Sequence, residues 1–350
     1  MKNDTIEALN YTTEAIEHLR FMERGLLNTS PYSAYVLRQV IDMLHNSVKF
    51  ILPNCCEIIE PDEYRQSHLD LARLPYPITT FEIPWNKAND DPDIAGVKSS
   101  RSSKRIALCW ESKDDFEPIP GCNQVLKMYP GGGVFILPIP WSDKIKMWNI
   151  SAGGVFFPYD NNISKKDDEK ALPATKIANE ALRIAGFVKQ NAAHFLAEPF
   201  ISCTDLTQEL IEKFGSREKL FAHIIIDTRD ELQAFIQACS VLNCENVQTV
   251  TLQRKHGSKF INGRKVEQNK KGKLPAYTYE VLQINEEKTN YISANSSKKG
   301  GSKRMHLRRG HIRRLNGKLL WIRPSMINAD SNLGTIEKDY SLSIKNKHSI

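Results

Sequence analysis

The chain has 350 residues, of which 41% are apolar, 25% charged and 9% aromatic, the profile of an ordinary globular protein long enough for one large domain or two to three small ones. No apolar run reaches the ~20 residues of a membrane span, and the polar, acidic N-terminus lacks the continuous apolar stretch of a secretory signal, so a cytoplasmic protein with no membrane partner is expected. The net charge of +7 is unevenly spread: Arg254 to Lys318 holds 18 Lys and Arg against 4 Glu and no Asp, a net +14 over 65 residues, which leaves −7 for the remainder.

In chain order, Ile6, Leu9, Ala15, Ile16, Leu19 and Met22 fall at helical spacing, and Val36, Val40, Ile41, Leu44, Val48 and Ile51 resume it before Pro53. Two helices are predicted. From about Ile78 to Tyr159 the runs TTFEIPW, RIALCWES, GVFILPIPW and KMWNISAGGVFFPY are strand-length and rich in aromatic and β-branched residues. Short links between consecutive strands favour an antiparallel meander. Trp85, Trp110, Trp141 and Trp148 sit in this region and read as core residues, with an interaction surface as the alternative. Helical periodicity returns through Ile177, Ala181, Ile184, Ala185 and Val188. Asp205 with Gln208 is a candidate cap for LTQELIEKF, and Thr228 with Glu231 matches the S/T-x-x-E capping box ahead of a helix that buries Leu232, Phe235, Ile236, Cys239 and Leu242.

VQTVTL reads as a short strand, Arg254 to Lys273 as a basic loop or mobile arm, and LPAYTYEVLQI as a strand with apolar character on parts of both faces. HLRRGHIRRL and KLLWIRPSMI, joined by Asn316-Gly317, form a predicted hairpin, because Asn-Gly accepts the positive φ values of a type I′ turn. LGTIEKDYSLSI reads as one more strand. The predicted class is α+β: an N-terminal α+β region (1–162), a helical segment (163–252), a basic loop (253–273) and a C-terminal β-rich region with the basic hairpin (274–350).

The seven cysteines are scattered and form no C-x-x-C pair, so they read as reduced, small hydrophobes rather than a zinc knuckle or a disulfide framework. YPGGGVF lacks the Lys-Ser/Thr of a phosphate loop, and SAGGVF has no nucleophile-elbow pattern. No cofactor or metal is expected. The chemistry concentrates in the hairpin. Read as one strand, its first arm puts His306, Arg308, Gly310, Ile312 and Arg314 on one face and Leu307, Arg309, His311, Arg313 and Leu315 on the other. Arginine on both faces implies an exposed ribbon or an edge. Guanidinium groups bind phosphate in bidentate fashion and stack on bases, so Arg304, His306, Arg308, Arg309, His311, Arg313, Arg314, Lys318 and Trp321 are the candidate nucleic-acid-binding residues, with RNA the favoured partner. The competing reading pairs these arginines with the acidic body of the same chain. His306 and His311 lie on opposite sides of such a strand, poor geometry for one metal ion; a ribonuclease using them as proton-transfer groups is the catalytic alternative, without an identified catalytic partner.

The blocks CENVQTVTLQRKHGSKFINGRKVEQNKKGKLPAYTYEVLQI, RMHLRRGHIRRLNGKLLWIRPSMIN and GTIEKDY resemble the C-terminal signature of a family of phage, prophage and plasmid proteins that includes a type V-A anti-CRISPR protein. His306, Arg308, Arg309, Gly310 and His311, in the pattern H-x-R-R-G-H, are its most specific part, and the resemblance spans about Glu198 to Tyr340. It implies an anti-defence protein that lowers expression of a host target by recognising the ribosome-associated nascent polypeptide, with loss of the encoding mRNA. The implied partners are thus RNA or a nascent chain, with a mature host defence protein as the remaining choice for a purely protein-binding inhibitor.

Overall fold

In the computed structural model, the described residues are 8–59, 64–87, 94, 101–163, 173–187, 195–244, 247–252, 260–261, 264–265, 276–284, 305–308, 311–315, 318–322, 325–327 and 335–336. The N-terminal periodicity forms α1 (Tyr11–Leu26) and α2 (Pro31–Asn46), antiparallel neighbours that bury Ala15, Ile16, Leu19, Val36, Leu37, Val40 and Leu44. Pro31 sits in the first turn of α2, where its fixed φ suits a helix start. Ser30 gives α2 no side-chain cap; the cap comes from Asp205, whose carboxylate accepts the Ser33 N–H at 3.1 Å and the Ser33 Oγ–H. The Asp205–Gln208 pair predicted for the downstream helix α5 (Thr207–Phe214) therefore does not form there.

The second helix is also shorter than its periodicity predicts. Ser47 is extended, and Val48–Ile51 becomes strand β1, since β-branched Ile51 gains ladder partners on both sides and Val48 gains one on β2. The predicted meander is present as β2 (Ile78–Pro84), β3 (Lys104–Glu111), β4 (Gly133–Ser142), the short β5 (Met147–Trp148) and β6 (Gly153–Pro158), all antiparallel. β7 (Glu198–Ile201), which the sequence did not signal, closes one edge. At the other end β1 lies parallel to β2 and to β11 (Tyr279–Ile284), and β11 pairs antiparallel with β8 (Val247–Leu252). The resulting nine-stranded mixed sheet runs β7-β6-β4-β3-β2-β1-β11-β8, with β5 attached to β4. Gly153 and Gly154 allow β6 to seat between its neighbours: a Cβ at either would fall 2.0 Å from the Phe200 carbonyl or 2.2 Å from that of Ile136.

Alternation along the strands feeds two cores. Ile106, Leu108 and Trp110 of β3, with Phe135, Leu137 and Ile139 of β4, face α1 and α2. Ala107, Cys109, Val134, Ile136 and Phe157 face Ala234, Phe235, Ile236, Ala238 and Cys239 of the long helix α6 (Arg217–Leu242). Trp110 and Trp148 are fully buried, and burying each such side chain contributes about 1.5–3 kcal/mol. Helix α3 (Gln66–Leu71) and α4 (Pro173–Ile184) contribute to the α6 side. The α+β class read from the sequence is the class observed.

The capping box predicted at Thr228 is absent, because α6 begins eleven residues earlier, at Arg217, and passes straight through it. Ser216 Oγ accepts the Lys219 N–H at 3.1 Å as the real cap, Thr228 Oγ1 donates back to the Ile224 carbonyl, and Glu231 is buried against the sheet. All seven cysteines are free thiols. No helix among the described residues is long and apolar enough to cross a membrane.

Candidate nucleic-acid interface

β11 is the junction between the sheet and the basic segment, and a polar cluster holds it in place. Glu82, in the middle of β2, has no exposed surface. Its carboxylate accepts the Tyr11 N–H at 3.1 Å and the Thr12 N–H at 2.9 Å, two of the free donors at the start of α1, and the Tyr279 hydroxyl of β11 at 3.2 Å. Asn10, in the left-handed conformation at φ 57°, accepts the Ala276 N–H at 2.8 Å and is reached by the same Tyr279 hydroxyl. Burial pushes the Glu82 carboxyl above the usual range, against the pull of the backbone donors.

On the neighbouring strand Lys49 is 2% exposed. Its Nζ donates to the His45 and Ser47 carbonyls at 3.1 and 2.7 Å, satisfying the C-terminal end of α2, and lies 4.2 Å from the centre of the Tyr277 ring. The Tyr277 hydroxyl in turn pairs with His45 Nδ1 at 2.9 Å. Burial pulls the Lys49 ammonium down to about 8, opposed by the Glu82 charge. Folded Lys49 therefore releases its proton at a pH where the unfolded chain still holds one. Its stabilising contribution is present above the ordinary lysine range and is lost as pH falls through about 8. Stability of the native chain relative to Lys49→Met is expected to rise between pH 8 and about 10.4, by roughly 2–3 kcal/mol, in denaturant titrations over that range.

Beyond β8 the described residues of the basic segment lie mostly in short strands. β9 (Phe260–Ile261) and β10 (Arg264–Lys265) pair antiparallel within the stretch expected to be a loop. The predicted hairpin survives in part. β13 (His311–Leu315) pairs antiparallel with β14 (Lys318–Ile322), in a register that sets Ile312 opposite Trp321 and Leu315 opposite Lys318. Its first arm, however, is not one strand. β12 (Met305–Arg308) belongs to a different, three-stranded sheet, antiparallel to β15 (Ser325–Ile327) and parallel to β16 (Thr335–Ile336).

The single alternation drawn from His306 to Leu315 is therefore corrected: Arg308 and His311 belong to strands of different sheets. His306 and Arg308 lie on β12, His311, Arg313 and Arg314 on β13, and Lys318 and Trp321 on β14. Arg304, Arg309 and the Asn316-Gly317 turn lie outside the described residues. The two histidines, which bracket the signature, belong to separate sheets. Among the described residues no group of three or more His, Cys, Asp or Glu is arranged to hold a metal ion.

Sequence reasoning missed Glu82, Lys49 and Asn10. The one available signal was an acid flanked by Phe81 and Ile83 in a strand buried on both faces. The candidate site is thus a set of short strands that follow the central sheet in sequence and form sheets of their own. No known family model, curated protein or solved structure matches the chain.

Proposed function

We propose that this is a cytoplasmic, mobile-element-encoded anti-defence protein that lowers expression of a host target, engaging RNA through its basic C-terminal segment and recognising the target's RNA or nascent peptide. The observation that carries the reading is the concentration of net +14 into the 65 residues from Arg254 to Lys318, on a remainder of −7. Five arginines fall within Arg304 to Arg314, the residue type suited to phosphate and base contacts. The strands β12 to β14 carry Arg308, Arg313, Arg314, Lys318 and Trp321 on short ribbons, a form that single-stranded or structured RNA can accept. The resemblance of residues 198–340 supplies the anti-defence direction. Purification of the tagged chain from cells, with sequencing of the bound RNA and identification of the bound protein, tests the reading. Enrichment of one mRNA together with ribosomal material supports it, and a mature protein recovered without RNA argues for a purely protein-binding inhibitor.

A further inference from the structure

The two edges of the central sheet are protected very differently. β7 is four residues long and carries Pro199 and Glu198, features that discourage a further strand from pairing. β8 spans six residues, VQTVTL, with neither a proline nor a charge. Its pairing to β11 runs unbroken from Val247↔Ile284 to Leu252↔Tyr279, without a bulge to twist the edge away. Thr249 and Thr251 are exposed, Val250 and Leu252 half-buried, and among the described residues no strand pairs with the outer side of β8. Such a strand is a template for another strand.

In sequence, β8 is flanked by opposite charge. At its start, Val247 N–H bonds the Cys244 carbonyl at 3.1 Å, directly after the C-terminus of the 26-residue helix α6, where the helix dipole is negative, and Glu245 adds a carboxylate in the same link. Two residues beyond its end come Arg254 and Lys255. An antiparallel arrangement of two copies about a two-fold axis sets the basic end of each β8 against the acidic end of the other; a parallel one would set like charges together.

The geometry points to β8 as the interface of a symmetric dimer of this chain, joined edge to edge into one continuous sheet. Because β8 leads directly into the basic segment, pairing also brings two such segments to a common polyanion, and avidity then exceeds the affinity of either alone.

Sedimentation velocity of the full chain tests the inference. The expected result is a species of twice 39.9 kDa that dissociates on dilution and, through its end charges, more readily in high salt. Successive residues of an antiparallel strand point their backbone N–H groups to opposite sides, so of Thr249→Pro and Val250→Pro one removes an outward donor and the other a donor bonded to β11. The outward one gives a folded monomer. Thr249→Lys, at an exposed position, provides a second variant that leaves the backbone intact and places like charges across the interface; it too is expected to be monomeric with unchanged thermal unfolding. A native chain that is monomeric at every concentration, one that binds only an extended peptide at this edge, or a dimer retained by all three variants would overturn the inference.

Discussion

Glu82→Ala is expected to destabilise the fold by about 3–5 kcal/mol, read as a lowered denaturant midpoint. The carboxylate has no exposed surface and accepts three hydrogen bonds, from Tyr11 N–H, Thr12 N–H and the Tyr279 hydroxyl. Truncation leaves the start of α1 without its counter-charge, two buried donors and a hydroxyl without that acceptor, and a cavity in the sheet. Residues far apart in sequence meet on this group, so its loss loosens the docking of α1 and of β11 together. Glu82→Gln keeps the shape but turns one acceptor into a donor facing a donor, and falls between the two. The pH response gives a separate signature. Burial raises the folded carboxyl above its unfolded value, so its contribution is complete below the unfolded pKa, about 4.3, and declines as pH rises through the folded value. The native chain should therefore lose part of its advantage over Glu82→Gln as pH rises from 4; a constant difference would contradict this.

The second large effect is expected at Arg105. Its guanidinium, on β3, reaches Glu231 Oε1 of α6 at 2.9 Å and Asp230 Oδ2 at 3.4 Å, and lies 4.8 Å from the centre of the Trp85 ring. Glu231 is fully buried, and burial raises its carboxyl while Arg105 holds it down. Arg105→Ala strands that carboxylate beside Asp230 in the core, a loss of about 3–5 kcal/mol. Because the missing partner was what favoured the charged form, the deficit should shrink in acid and grow as pH rises. Replacing both groups, as Arg105→Met with Glu231→Leu, removes the stranded charge. The double variant is expected to recover most of the stability lost by the single one, and a double variant as unstable as Arg105→Ala would show that packing, not charge, dominates the loss.

These two residues also show where sequence reading reached its limit. The meander was legible because strand-length runs such as RIALCWES and GVFILPIPW are bounded by turn residues, and antiparallel neighbours need only short links. β11 was legible from its alternation, but its parallel place beside β1 was not, since that pairing joins residues more than two hundred positions apart. Thr228 and Glu231 have the letters of a capping box, yet tertiary burial overrode them: the apolar face of α6 continues upstream through Ile224 and Ile225, and the glutamate serves Arg105 instead. In the basic arm a period-two pattern drawn through Arg308 and His311 carried no signal that β12 and β13 belong to different sheets. The charge itself needed no structure to be seen. Glu82 and Lys49 could not have been placed without it, because each is explained by partners on other elements.

The central claim is the proposal that the arginines of the stretch from Arg304 to Arg314 engage RNA. Its most direct test is RNA affinity of the native chain across a salt titration, beside a variant with Arg308, Arg309, Arg313 and Arg314 changed to Gln. Each phosphate contact to a single strand contributes about 0.7 to the slope of log affinity against log salt. The account predicts steep salt dependence for the native chain, and weaker binding with a slope smaller by up to about 3 for the variant. Equal affinity and equal slope for the two chains, or native binding that ignores salt, would contradict it.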